Sequence, residues 1–105
     1  MTDKTRKQQL EEMLADDPTD PFLRYGLAME FISQGDDVEA VRRFRELLAA
    51  TPEYVPAYLQ VGQALVRLGL PVEARAVWVQ GVAVAKRQGE RHAAEEMEGF
   101  LAGLD

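Results

Sequence analysis

Three places in this chain carry side chains able to do chemistry, and each has a chemical reading and a plainer one. His92 is the only histidine among the 105 residues, and there is no cysteine. A general base needs a reacting group within hydrogen-bond reach and a third group to orient it. His92 stands beside Arg91 with no serine, cysteine or second imidazole spaced to serve it, so it reads as a solvated side chain. The stretch "DDPTD", Asp16 to Asp20, gathers three carboxylates. A calcium loop also needs alternating oxygen ligands, a central glycine and a terminal glutamate, and none is present. Asp20, directly before Pro21, is placed instead to cap a helix. The basic run "RRFRE", Arg42 to Glu46, is accounted for by pairing at i,i+4, as between Arg42 and Glu46, without a phosphate ligand. No glycine-rich phosphate loop and no metal-ligand spacing occurs. The expectation is no catalytic residue, no cofactor and no metal.

Composition narrows the partners. The chain is long enough for one core and too short for two independent domains. With 47% hydrophobic and 29% charged residues it has ordinary globular usage. A formal charge of -6 repels phosphate backbones and anionic headgroups, so neither nucleic acid nor a membrane is an expected partner. The absence of cysteine suits a reducing compartment. The opening "MTDKTRKQQLEEML" holds no apolar signal core, which points to a cytoplasmic chain.

The elements that would position any working surface come from an internal repeat. "SQGDDVEAVRRF" (33–44) and "RLGLPVEARAVW" (67–78) stand 34 residues apart with Gly, Val, Glu, Ala and an aromatic in step. The same shift pairs Leu27 with Val61, Ala28 with Gly62, Phe31 with Leu65, Gly35 with Gly69, Ala40 with Ala74 and Phe44 with Trp78. Carried backwards it pairs Leu10 with Phe44, Met13 with Leu47, Leu14 with Leu48 and Pro18 with Pro52, so the chain opens on half a unit. Within a unit Leu27, Ala28 and Phe31 share one helix face, and Val38, Val41, Phe44 and Leu48 share another. Gly35 and Gly69 fall where the first helix of each pair must end. Asp36 with Glu39 reads as a capping box for the next helix, as does Thr5 with Gln8, and Pro71 suits a first helical turn. Ala40 and Ala74 allow close helix approach, with Phe44 and Trp78 filling the space beyond. The tail keeps an apolar stripe at Ala93, Met97, Phe100, Leu101 and Leu104, with Glu95 and Glu96 polar, and reads as a capping helix.

On these residues the chain resembles the tetratricopeptide-repeat family, whose unit is a 34-residue helix-turn-helix. Ala28 and Gly62, Ala40 and Ala74, Phe44 and Trp78, and Pro52 match the family's small, alanine, aromatic and closing proline places. Lys86 departs from a second closing proline, and Arg24 departs from the large apolar residue that Tyr58 supplies. The resemblance implies an all-α array of about six helices wound as a right-handed superhelix. Its parts are a half repeat (5–18), two repeats (20–53 and 54–88) and a capping helix (90–104).

In that family the first helix of each unit lines a concave side. The implied contact places are Phe22, Tyr25, Met29, Ile32 and Ser33 in the first unit and Pro56, Leu59, Gln63, Val66 and Arg67 in the second. A clamp for a chaperone's terminal carboxylate would need Lys, Asn and Arg there, and it is not built. The residues themselves show that Phe22, Tyr25, Met29 and Ile32 recur at three and four on a different face from Leu27, Ala28 and Phe31. A helix apolar on two faces has two neighbours. The second is a segment of another protein held by an adaptor, a second copy in a homo-oligomer, or simply the packing of these side chains on each other. The register predicts that Ala40→Leu or Ala74→Leu overpacks a helix crossing and costs about 1 to 3 kcal/mol. Thermal melts check it, and an unchanged midpoint in both variants contradicts the register.

Overall fold

The computed structural model describes residues 3–104, leaving Met1, Thr2 and Asp105 outside the description. Among the described residues there are six helices and no strand: α1 (Arg6–Asp16), α2 (Pro21–Ser33), α3 (Asp37–Ala50), α4 (Val55–Arg67), α5 (Pro71–Arg87) and α6 (Arg91–Leu104). None of them is long and apolar enough to cross a membrane.

A glycine turns the chain inside each pair. Gly35 and Gly69 take φ of 78° and 75°, a region closed to most side chains. At the first, the Asp36 N–H donates to Phe31 O and the Gly35 N–H to Ile32 O, both at 2.9 Å. At the second, Leu70 N–H reaches Leu65 O and Gly69 N–H reaches Val66 O, again at 2.9 Å. These paired bonds are Schellman caps, satisfying carbonyls that the helix end would otherwise leave open. A third, at Gly89, joins α5 to α6 in the same way.

The helix starts follow the sequence with one correction. Thr5 and Gln8 form the reciprocal capping box of α1. The Asp20 carboxylate accepts from Phe22 N at 2.8 Å and Leu23 N at 3.2 Å, and Pro21 opens α2. Asp36 caps α3 by accepting from Glu39 N, but the expected box does not close. The Asp36 N–H is already given to Phe31 O, and the Glu39 carboxylate turns to Arg42 and Arg43 one turn onward. Hydrogen bonds from Arg42, then Arg43, hold that carboxyl down to about 2. Arg42 also reaches Glu46 at 2.6 Å, the pairing expected of the basic run.

The helices pack α2 on α3 and α4 on α5 as pairs, with α3 on α4 between pairs, α1 on α2 and α6 on α5. The thinnest dimension is 20 Å, two helix diameters. The buried stripe of α3 is Ala40, Val41, Phe44 and Leu47. Val38, expected on that face, is instead 67% exposed and its equivalent Val72 is 81% exposed, while Leu48 is half-buried. At 100° per residue Val38 lies well round the helix from Ala40 and Phe44, in a first turn with nothing opposite. Met13 is likewise 45% exposed although its equivalent Leu47 is fully buried, because among the described residues α1 packs on α2 alone.

Two departures between the units are exchanges that preserve packing. A Cβ added to Gly62 would sit 2.1 Å from Trp78 Nε1, so the indole occupies the space a side chain would need. The first unit carries Ala28 and Phe44 at these places, both fully buried. A smaller aromatic there accompanies one more carbon on the first helix. Arg24, in place of an apolar residue, donates from Nε to Pro18 O at 2.8 Å, and the equivalent Tyr58 hydroxyl donates to Pro52 O at 2.6 Å. Both side chains tie the first helix to the loop before it.

The third unit breaks step. No proline stops α5 at Lys86, and the helix runs 17 residues against 14 for α3. The fully buried Met97 of α6 therefore stands 36 residues after Val61, two beyond the repeat. Phe100 stacks on Trp78 with ring centroids 5.2 Å apart. The exchange at the helix crossing predicts that Gly62→Ala costs about 1 to 3 kcal/mol by overpacking. Adding Trp78→Phe recreates the Ala28 and Phe44 pairing and recovers most of the loss, a coupling on the order of 1 kcal/mol by double-mutant cycle. Strictly additive losses would show that the two sites do not share this space.

Candidate functional site

The face of α2 turned away from the buried Leu27, Ala28 and Phe31 carries the first group of sequence-predicted residues. Phe22 is 67% exposed, in the first turn beside its Asp20 cap. Tyr25 is half-buried, and its ring is held from two sides. It stacks on Tyr54 at 5.6 Å and 25°, and it tilts against Phe44 at 5.8 Å and 57°. Tyr54 ends the loop before α4, so this aromatic group ties α2, α3 and α4 together. Met29 and Ile32 are half-buried against the core. Ser33 donates from Oγ to Glu30 O at 2.8 Å.

Phe22, Tyr25, Met29 and Ser33 line one hollow of about 200 Å³, with Arg6, Gly26 and Glu30 completing it. Arg6 comes from α1 and meets Glu30 at 3.0 Å, which closes the hollow at one edge. Sequence reasoning missed these last three as site residues. The small residue at Gly26, against Gln60 in the second unit, was the available signal, since a Cβ there would touch Leu10 at 3.3 Å. The Arg6 and Glu30 pairing spans 24 residues and has no periodicity to announce it.

The second group, on α4, is not part of that hollow. Leu59 and Gln63 are half-buried, and Pro56 and Val66 are exposed. Arg67 is already engaged: its Nε and Nη2 hold the two oxygens of Asp37 at 3.0 and 2.9 Å. Hydrogen bonding to Asp37 raises the Arg67 guanidinium further, and the pair bridges α4 to α3. The first-helix face thus has an apolar hollow beside α1, and on α4 it carries Gln63 and the engaged Arg67 beside Leu59 and Val66.

The three tyrosines of the region, Tyr25, Tyr54 and Tyr58, are all pushed up from the usual phenol value, in each case chiefly by burial. The Gln60 side chain opposes the rise at Tyr25. These shifts belong to packing. His92 lies far round the fold on α6, largely exposed, 3.8 Å from Glu96.

No protein-family model matches the chain. The chain is 33% identical over 96 residues to a TPR repeat-containing protein of Pseudomonas aeruginosa, an alignment that covers 91% of each. Among solved structures it is similar to the solution structure of a tetratricopeptide repeat domain protein from Salinibacter ruber. The two share 31% identity and a TM-score of 0.80, over 84% of this chain and 89% of that one. It is also similar to a protein from Bordetella parapertussis, with 27% identity and a TM-score of 0.85 over 97% of this chain and 89% of that one.

The raised phenols carry a sign. The folded chain keeps protons on these tyrosines that the unfolded chain releases near pH 10, so the folded state binds more protons there and stability falls as pH rises. Below the unfolded value their contribution is complete. Urea midpoints measured from about pH 9 to about pH 11.5 should decline, and Tyr25→Phe, with no hydroxyl to ionise, should flatten part of the decline. A decline identical in the variant would show that the Tyr25 phenol titrates freely in the folded protein.

Proposed function

Because the chain belongs to the tetratricopeptide-repeat family, we propose that it works without chemistry, as an adaptor that holds a short segment of another protein on the first-helix face. The observation that carries this reading is the hollow of Phe22, Tyr25 and Met29 on the side of α2 opposite its core. An isolated exposed phenylalanine needs no explanation. Here the exposed ring adjoins two half-buried apolar side chains, one of them fixed by an aromatic group that reaches into α3 and α4. A surface with rigid backing loses little side-chain entropy when an apolar group is seated on it. Methionine adapts to the shape of what it meets.

In this reading Phe22, Tyr25 and Met29 receive the partner's apolar anchor, and the Arg6 and Glu30 pair forms a polar rim beside it. Ile32, Leu59, Gln63 and Val66 would extend the contact along α2 and α4, with Arg67 reaching it only from its fixed position on Asp37. The cytoplasm is the compartment this role fits. The alternative use of the same face, by a second copy of the chain, makes a different prediction about mass.

Phe22→Glu tests the reading without disturbing the core. An exposed change of this kind shifts stability by about 0.5 kcal/mol or less. A partner segment selected from a displayed peptide library by the parent protein should lose roughly 2 kcal/mol of affinity or more for the variant, because the new carboxylate must be desolvated against an apolar anchor. Selected segments that bind parent and variant alike would move the working surface off this hollow. A parent protein that is oligomeric by light scattering and a variant that is monomeric would replace the adaptor with self-assembly.

A further inference from the structure

The repeat also places a hollow on the opposite side, among the second helices, and the two copies of it differ in chemistry. One lies between α3 and α5 with α4 as its floor, and Leu48, Tyr58, Val61, Val77 and Gln80 line it together with Arg45 and Ala49. The other lies between α1 and α3 over α2 and has a volume of about 200 Å³. Its lining is Leu14, Pro18, Arg24, Leu27, Arg43 and Glu46. By the 34-residue shift Leu14 answers to Leu48, Leu27 to Val61, Arg24 to Tyr58, Arg43 to Val77 and Glu46 to Gln80. The apolar floor is kept, and two guanidiniums replace a phenol and an isopropyl group.

The second unit serves as an internal control on what those arginines do. The bond from Arg24 Nε to the Pro18 carbonyl is made equally by the Tyr58 hydroxyl to Pro52, so the loop tie does not require a charge. At the place of Arg43 a valine suffices for the fold. Arg43 Nε is held by Glu39 at 2.9 Å, and the guanidinium lies 5.3 Å from the centre of the Phe31 ring. Both arms are therefore fixed through Nε, while no hydrogen bond engages their Nη groups among the described residues. Glu46, the carboxylate of the lining, is engaged by Arg42 at 2.6 Å.

We propose that this hollow is a binding site for a single carboxylate carried next to an apolar side chain, as an acidic residue of a partner protein segment presents it. Arginine Nη groups give carboxylates short, charge-assisted and often paired hydrogen bonds, and arms already held at Nε lose less freedom on binding. Leu14 and Leu27 offer the apolar neighbour a floor. The chain's net charge of -6 disfavours a polyanion, whose many charges meet that field together, more than one carboxylate. At 3.6 residues per turn Arg24 and Leu27 stand across α2 from Phe22 and Met29, so this site is separate from the first-helix hollow and does not depend on its use.

The probe is the capped dipeptide acetyl-leucyl-glutamate amide, with acetyl-leucyl-glutamine amide and inorganic phosphate as controls, titrated against the full chain and read by NMR. The expected result is saturable shifts of the Arg24 and Arg43 Nε–H signals and of the Leu14 and Leu27 methyls with the glutamate probe. Binding of the glutamine probe should be at least about tenfold weaker, as loss of a charge-assisted pair implies. Arg24→Tyr combined with Arg43→Val installs the second unit's own residues and should lower affinity by a similar factor with the melting transition retained. Arg43→Gln alone, which keeps the polar surface, should lower it in part. Equal binding of the two dipeptides, phosphate moving the same signals as strongly as the glutamate probe, or a folded double variant that binds as the parent does would each overturn the assignment.

Discussion

Everything in this fold depends on how closely two helices of a pair can approach. At the crossing in the second unit there is no room for a β-carbon on Gly62, because the Trp78 indole fills it. The indole is itself fixed, donating to Leu59 O at 3.3 Å and stacking on Phe100 of α6. One missing methyl group thus seats an aromatic that reaches the next layer. With Ala40 and Ala74 fully buried, the same economy recurs on the second helix of each pair. Interiors packed to crystal-like density respond to single carbons, so the small residues set the geometry and the aromatics follow it.

Close pairing decides which faces are left over. Once α2 turns Leu27, Ala28 and Phe31 inward, the helical period forces Phe22, Tyr25 and Met29 outward on the far side. Tyr25 escapes full exposure because its ring packs between Phe44 of α3 and Tyr54, through which α4 is entered. The candidate surface is therefore a consequence of the core, and at Tyr25 it is backed by it. Ion pairs between helices, such as Arg67 with Asp37 and Arg6 with Glu30, lie at the surface and add register more than stability.

The sequence was informative wherever a residue's job is local or periodic. Gly35 and Gly69, the Thr5 box, the Asp20 cap and the alanine and aromatic places are legible because turn chemistry and a 34-residue echo announce them. Val38 misled because apolar character and spacing say nothing about whether an opposing helix reaches the first turn. Glu39 misled because two partners competed for it, and the Schellman bond had already taken the Asp36 N–H. For the candidate site the α2 residues were visible as a stripe. The closure by Arg6 and Glu30, and the removal of Arg67 by Asp37, are contacts between helices that no period encodes.

A repeat protein compares its own parts, and the comparison separates scaffold from use. Where the two units differ but the geometry is unchanged, as with Ala28 and Phe44 against Gly62 and Trp78, the difference is compensated inside the pair and carries no information about partners. Arg24 and Tyr58 make the same bond to the same loop carbonyl, yet only one of them brings charge to the surface. Among the described residues no carboxylate forms an ion pair with that charge, and Arg43 adds a second guanidinium to the same hollow over an apolar floor. Arg43 is tied to Glu39 and lies over Phe31, yet the equivalent place in the next unit is filled by a valine, as that of Arg24 is by a phenol. The proposed carboxylate site would give those charges a use outside the scaffold.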